Sequence, residues 1–408
     1  MPLFPRYENG TPSHVPSDRV VDFDIYNPPG VARDFHQSWK DLQSRSPADL
    51  IWTPCNGGHW ISTRGRQIKE IFADYDKFSS SNNLVPKPGG RGLPPLNLDP
   101  PAHRDYRILL NNSLSLKEVS KSQTRIRELA RELIEPFLTR GEANFTHEYA
   151  EVFPIRIFAV LMGLPMSDTP RLKHLTDLLT RPGPGTDRRA IIFELLDYMQ
   201  PLVEQARKAP GDDLMSHLAT AQIDGKVLEL LNAAELCLQV MLAGLDTVVN
   251  LLGFVMHFLA THEDERRILA ENPGKIPGAV GEIMRRFPVV VTGRCVAHDM
   301  LYDGVELKQG EMIILPSMLH GLDDEEHSDP MAFDLERRSR AHSTFGNGPH
   351  KCPGSHLGLL ELKITLEEWL ALIPEFTIAK DADLVFEGGV VGTLKGLKLV
   401  WPSSGSRP

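Results

Sequence analysis

Cysteine is scarce in this chain: Cys55, Cys237, Cys295 and Cys352 are its only four in 408 residues, and no two form a C-x-x-C pair. That spacing supports neither a disulfide framework nor a zinc ribbon. No apolar h-region follows Met1-Pro2-Leu3-Phe4-Pro5-Arg6-Tyr7-Glu8, so a secretory signal is not expected. No low-complexity linker and no internal repeat divides the sequence, although its length alone would suggest more than one domain. Positive charge is in deficit, with a formal net charge of −10, which argues against nonspecific nucleic-acid binding. The most apolar stretch, from about Asn232 to Phe258, is interrupted by Glu235, Gln239, Asp246 and Asn250 too often for a membrane span of about 20 apolar residues. The expectation is a soluble, cytoplasmic protein without nucleic-acid or membrane partners.

What is present is mostly helical. Apolar periodicity near 3.6 is clear in Ser122 to Leu138, Ala190 to Lys208 and Leu357 to Leu372. Strand-like runs are few: Leu50-Ile51-Trp52, Met312-Ile313-Ile314-Leu315 and Leu397-Lys398-Leu399-Val400-Trp401. The Asn232–Phe258 stretch is apolar on nearly every face, as a helix buried inside a large domain must be, and Asn232 and Glu235 have capping-box spacing at its start. Within it stands Ala243-Gly244-Leu245-Asp246-Thr247. The Thr247 hydroxyl can bond back to the Ala243 carbonyl and loosen the helix. Gly244 leaves a notch in which a diatomic ligand could sit, and Asp246 is an acid able to relay protons from solvent.

The run Phe345-Gly346-Asn347-Gly348-Pro349-His350-Lys351-Cys352-Pro353-Gly354 reads as a loop that hands one cysteine to a haem iron. Gly348 and Gly354 permit sharp turns and close approach to a flat cofactor. Pro353 suits the first position of a helix, which would place Cys352 at a helix N-terminus, where the thiolate is favoured. A structural cysteine beside a Gly-rich turn is the competing reading. Glu282 and Arg285 are three apart and can pair on one helix face, as solvated surface residues also do.

Taken in order, these motifs resemble those of the cytochrome P450 family: F-x-x-G-x-x-x-C-x-G at Phe345–Gly354, E-x-x-R at Glu282–Arg285 and A-G-x-D/E-T at Ala243–Thr247. The likeness extends along almost the whole chain and is closest to the camphor-hydroxylating branch, in runs such as Cys55-Asn56-Gly57-Gly58-His59-Trp60, Phe153-Pro154-Ile155-Arg156-Ile157-Phe158 and Gly244 to Asn250. It implies a mainly α fold, one prism-shaped helical domain over residues 1–408 with a small β-rich region, holding haem b with Cys352 as axial thiolate. It makes Asp246 and Thr247 the catalytic pair, puts Phe345 and Gly354 against the haem, and assigns His103, Arg107, Arg294 and His350 to the propionates. It adds Arg337, in Phe333-Asp334-Leu335-Glu336-Arg337, as a structural third partner to Glu282 and Arg285. The Pro- and Gly-rich stretch Leu84 to Pro101 matches the family's loop over the distal haem face, and Arg181-Pro182-Gly183-Pro184-Gly185 a turn in its lid.

The implied reaction is monooxygenation: O2 takes two electrons and two protons, one oxygen leaves as water and the other enters a C–H bond. With no reductase module, flavin motif or iron–sulfur cysteine set in the chain, the electrons are expected from a [2Fe–2S] ferredoxin and its ferredoxin reductase. That ferredoxin would dock near Arg104, Arg107 and Lys351 on a monomer. Gln239, Leu242 and Ala243, with Val289, Val290, Val291, Val390 and Val391, match pocket-lining segments and suggest a compact aliphatic wall. Camphor-hydroxylating relatives carry a tyrosine in the loop before Asp99, whereas this chain has none between Tyr75 and Tyr106. The expected substrate is therefore another small cyclic terpenoid, a monoterpenoid such as 1,8-cineole or a norisoprenoid such as an ionone, oriented by Gln239. A haem-thiolate gas-binding sensor, a peroxygenase and a metal hydrolase built on His350 and Cys352 are the alternatives; the acid–alcohol pair speaks against the first two.

Overall fold

Helix-forming sequence dominates the computed structural model, which describes residues 3–8, 10–87 and 92–402; residues 88–91 of the Leu84–Pro101 stretch and Met1-Pro2 lie outside that set. The three periodic segments are helices at Gln123–Arg140, Arg188–Lys208 and Ser355–Leu372. The first stops at Gly141, whose φ of 70° suits a glycine C-terminal cap. The second starts where the Asp187 side chain accepts the N–H groups of Arg189 and Ala190.

The apolar stretch forms two helices, Leu230–Gly244 and Thr247–Thr261, broken at Leu245-Asp246. The first begins before Asn232, because the Glu229 carbonyl already accepts from Ala233 N. Glu229, not Asn232, is therefore the N-terminal cap, and the expected capping box does not form. Leu230–Thr261 is long and apolar enough to cross a membrane, yet 67% of its most apolar window is buried by other elements, as befits a core helix.

Strands are short. The largest sheet orders Leu50–Thr53, His59–Ser62, Met312–Pro316, Val291–Val296 and Phe78–Ser79. Met312–Pro316 runs parallel to His59–Ser62 and antiparallel to Val291–Val296. One hydrophobic cluster joins this sheet to the Thr247–Thr261, Ile276–Arg286 and Ser355–Leu372 helices, and a second lies among Val152–Met162, Thr169–Thr180, Arg188–Lys208 and Leu230–Gly244.

Two polar ties hold remote segments. At the start of the Arg188–Lys208 helix, buried Arg188 donates from Nη2 to Tyr26 Oη at 2.7 Å, and Tyr26 donates to the Val85 carbonyl at 2.7 Å. Its guanidinium lies 5.2 Å and 5.3 Å from the ring centres of Phe4 and Tyr26.

The other tie centres on Glu282. Arg285 reaches both its oxygens, Nε at 2.9 Å and Nη2 at 2.7 Å, and Arg337 Nε donates at 3.1 Å. Arg340 adds a charge contact at 3.7 Å that the sequence reading missed. The remaining Arg285 donors reach the carbonyls of Gly321, Pro330 and Ala332. Gly321 must be glycine, since a Cβ there would stand 1.9 Å from the Arg285 carbonyl oxygen. Arg285→Ala would leave Glu282 buried with too few partners, and breaking such a network costs about 3–5 kcal/mol. The urea midpoint of this variant should fall well below that of the parent, with a low yield of folded protein.

Candidate functional site

The cysteine loop is shaped by two glycines in left-handed conformation, Gly346 at φ 66° and Gly348 at φ 67°. A Cβ on Gly348 would meet Ala73 Cα at 2.7 Å, so close packing as well as the turn demands glycine there. The backbone then doubles back, with Cys352 N donating to the Phe345 carbonyl at 2.8 Å. Pro353 does not open the following helix: it sits in a turn, and Gly354 caps a helix that begins at Ser355. A Cβ on Gly354 would lie 3.9 Å from the Cys352 sulfur, an ordinary contact, so no strain requires glycine at that position. Burial pushes the Cys352 thiol up, and the Gly354 N–H and the Arg107 charge pull it back only in part. The expected helix-end preference for the thiolate is outweighed by desolvation of the sulfur.

Beside the loop is a concentration of donors without acceptors. His103, in the Ala102–Ser113 helix, and His350 have ring centres 4.0 Å apart, and neither Nε2 has a partner among the described residues. Arg107 donates from Nη2 to the Lys351 carbonyl while its Nε is unpartnered. Arg294, in the strand Val291–Val296, is buried over Phe72, and that burial brings it down to about 10. Burial lowers His103 to about 4 and His350 to about 3, with neighbouring arginine charge adding to it. Such a group of desolvated donors is matched to an anionic ligand.

On the other side, Gly358 of the Ser355–Leu372 helix faces Val248, the residue after Thr247, which sets the cysteine helix against the broken central helix. At the break Thr247 Oγ1 donates to the Ala243 carbonyl at 3.2 Å, as expected from the sequence. Asp246 is wholly buried and held by Arg181 Nη1 at 2.8 Å, Arg181 Nη2 at 2.9 Å, Lys173 Nζ at 3.2 Å and Asn250 Nδ2 at 2.8 Å. Burial alone would raise its carboxyl, but the Arg181 charge and hydrogen bonds, with Lys173, hold it at about 2. It is therefore a carboxylate at rest rather than a stored acid. Lys173 and Arg181 also both bond Asp177. The sequence carries a signal for this set, since Lys173, Asp177 and Arg181 recur every four residues, as helix neighbours do, and the Pro- and Gly-rich turn that opens at Arg181 masks it.

An arginine thus stands beside the acid–alcohol pair without replacing either member of it. The fold brings Arg181 there, although its donors are taken by Asp246 and Asp177. Gly244 differs too. Its missing side chain is not an open notch, because Phe158 of the Val152–Met162 helix fills the place, with ring carbons 2.3–2.8 Å from where a Cβ would be. Open space follows a different stripe: within the buried Ala233–Met241 run only Gln239 is partly exposed, and Leu242, Ala243 and Thr247 continue it. The valines meet across a bridge from Val290 to Val391, with Val291 N donating to the Val390 carbonyl. Only Val290 and Val390 keep some exposure; Val289, Val291 and Val391 belong to the core, so three of the five expected wall valines pack inward.

A family model for cytochrome P450 matches residues 276–378, the part that carries Glu282, Arg285, Arg337 and Cys352. Probable cytochrome P450 127A1 of Sinorhizobium fredii is 30% identical over 405 residues, 96% of this chain and 97% of that protein. Vitamin D(3) 25-hydroxylase of Pseudonocardia autotrophica is 29% identical over 357 residues, 85% of this chain and 88% of that protein. Among solved structures, CYP101J2 is similar at 44% identity and a TM-score of 0.88, and CYP101C1 at 36% identity and a TM-score of 0.88, each over 96% of this chain and 100% of the other. The class is thus a haem-thiolate protein of the mainly α, prism-shaped kind. This chain belongs to the cytochrome P450 family and is a monooxygenase with haem b and a cysteine-thiolate iron ligand. Its residues fit that group, because the orphaned Nε2 atoms of His103 and His350 and the Nε of Arg107 are donors that two propionates would satisfy.

The Gly244–Phe158 contact is directly testable. Gly244→Ala should destabilise by about 1–3 kcal/mol through overpacking, and Phe158→Leu should recover part of that in the double variant, read as denaturant midpoints in a four-member cycle.

Proposed function

We propose that this enzyme hydroxylates a small cyclic terpenoid in the bacterial cytoplasm as a monomer, fed by a [2Fe–2S] ferredoxin and its reductase. The observation that carries the reading is the break at Asp246-Thr247, a desolvated carboxylate and a hydroxyl set beside the cysteine helix. Haem, when bound, supplies reductive activation of O2 and oxygen transfer. In this reading Cys352 ligates the iron through Sγ, with Phe345 and Gly354 against the haem, and His103, Arg107, Arg294 and His350 hold the propionates. Thr247 Oγ1, parked on the Ala243 carbonyl, presents a hydroxyl to the oxygen site. Asp246, ionised at rest, accepts a proton at a carboxylate oxygen and passes it inward, while Arg181 and Lys173 fix its position.

Gln239 stands at the far end of the stripe from Thr247 and has no hydrogen bond among the described residues, which leaves its amide for a ketone or ether oxygen. Leu242 and Ala243 are its partly exposed or exposed neighbours on the helix, and Val290 and Val390 are the partly exposed members of the valine set that this reading assigns to the same pocket. Ferredoxin docking on the cysteine side is supported by exposed Arg104 and Lys351, which Arg107 fastens to the loop through the Lys351 carbonyl. A gas sensor has no use for the proton-handling pair, and Arg181 is already committed to carboxylates, which disfavours a peroxygenase.

Three outcomes test this reading. Reduced protein with CO should give the red-shifted Soret band of a thiolate-bound haem, and Cys352→Ser should lose both the band and monooxygenation. Asp246→Asn should slow oxygen-dependent NADH turnover, whereas Thr247→Ala should keep turnover and divert it to peroxide, measured as product per NADH. Gln239→Leu should broaden the product distribution while weakening binding by only about 0.5–1.5 kcal/mol; camphor as the tightest and best-coupled ligand in a terpenoid screen would overturn the substrate assignment.

A further inference from the structure

Thr393, first residue of the strand Thr393–Lys395, is 3% exposed and its Oγ1 has no hydrogen-bond partner among the described residues. A buried hydroxyl is costly to leave unpaired, and folded proteins satisfy such groups with protein or ordered water. Thr393 lines a cavity of about 30 Å³ together with Asn250, Lys173, Arg181, Glu151 and Asp177. A polar site needs only about 10–15 Å³ and two to four polar partners to hold one water.

The inner wall of this cavity is the shell around Asp246, because Lys173, Arg181 and Asn250 are the residues that hold its oxygens. Its rim carries the partly exposed side chains of Glu151 and Asp177, at 39% and 36%. Asp246 itself is 0% exposed, so any proton that reaches it from solvent must cross such a shell. We propose that the cavity holds one ordered water fixed by Thr393 Oγ1, and that this water is the inlet through which Asp246 receives protons. Thr393 is then a positioning residue for the reaction. The proposal rests on the reading of Asp246 as the relay and adds its source.

The step balances. Lys173 lines the cavity and bonds Asp246, so its Nζ gives a proton to an Asp246 oxygen and takes one back from the water, which is reprotonated from solvent at the Glu151–Asp177 rim. Asp246 passes its proton inward and is a carboxylate again, so one proton has moved and no group is consumed.

Thr393→Val keeps the shape and removes the hydroxyl, and Thr393→Ser restores it. In the holoenzyme, Thr393→Val should lower the rate of product formation by about threefold to tenfold, the weight of one neutral hydrogen bond. Its solvent deuterium isotope effect should rise, its CO-difference band and substrate dissociation constant should be unchanged, and Thr393→Ser should return the parent values. Crystal structures should place a water within hydrogen-bond distance of Thr393 Oγ1 in the parent and none there in Thr393→Val. If Asp246→Asn is slow while Thr393→Val matches the parent in rate and isotope effect, or if the parent holds no such water, the inlet is overturned and the relay stands. If Asp246→Asn turns over normally, the relay fails and the inlet with it.

Discussion

A carboxylate with no access to water must collect every donor it needs from the protein, and Glu282 does this at the heart of the molecule. Arg285 on its own helix donates to it, and Arg337 and Arg340, from one segment some 55 residues further along the chain, donate and stand close by. The arginines have more N–H groups than Glu282 has oxygens. The surplus goes to the carbonyls of Gly321, Ser328, Asp329, Pro330 and Ala332, which fixes the irregular chain that leads to the cysteine loop. Thr344 then bonds the Met284 carbonyl, one residue before Arg285, and hands that order to the loop itself. An irregular segment has no ladder of its own to satisfy its backbone. Here a buried charge takes the place of one.

The break in the central helix repeats the theme with a different outcome. Asp246 also sits in a desolvated place with cationic partners, but its neighbour Asp177 shares the same lysine and arginine. Two carboxylates and two cations give an almost neutral cluster at a break in the central helix. Glu282 organises a scaffold, while Asp246 stands in a cluster that has a solvent-facing rim.

The identity of the long helices was legible because apolar periodicity is a local property, and those ranges agree with the structure to within two residues. The Glu282–Arg285 pair was legible by spacing, and Arg337 through family order. The break between Gly244 and Thr247 was legible only in part. Thr247 back-bonding to Ala243 follows from sequence distance, but the Phe158 ring that occupies the space over Gly244 comes from a helix more than 80 positions earlier. No local pattern could supply it. Arg181 shows the same limit, since its charge is neutralised by a residue 65 positions away. The capping box at Asn232 failed because Leu230 and Leu231 extend the helix upstream. Likewise only Val290 and Val390 of the valine set keep exposure, as successive residues of extended backbone face opposite ways.

Arg188 is held in another way than Arg285. Its hydrogen-bond partner is a phenol and its charge rests between two aromatic faces, with no carboxylate in the contact. Ionic screening acts on exposed pairs of charges, and a desolvated cation held by a neutral hydroxyl and ring quadrupoles offers it little to act on. The tie between the N-terminal segment, the chain at Val85 and the Arg188–Lys208 helix therefore holds with nearly the same strength in dilute buffer and in brine. The surface around Arg104 and Lys351 does not share this property, so ionic strength can alter what docks on the molecule while leaving this seam closed.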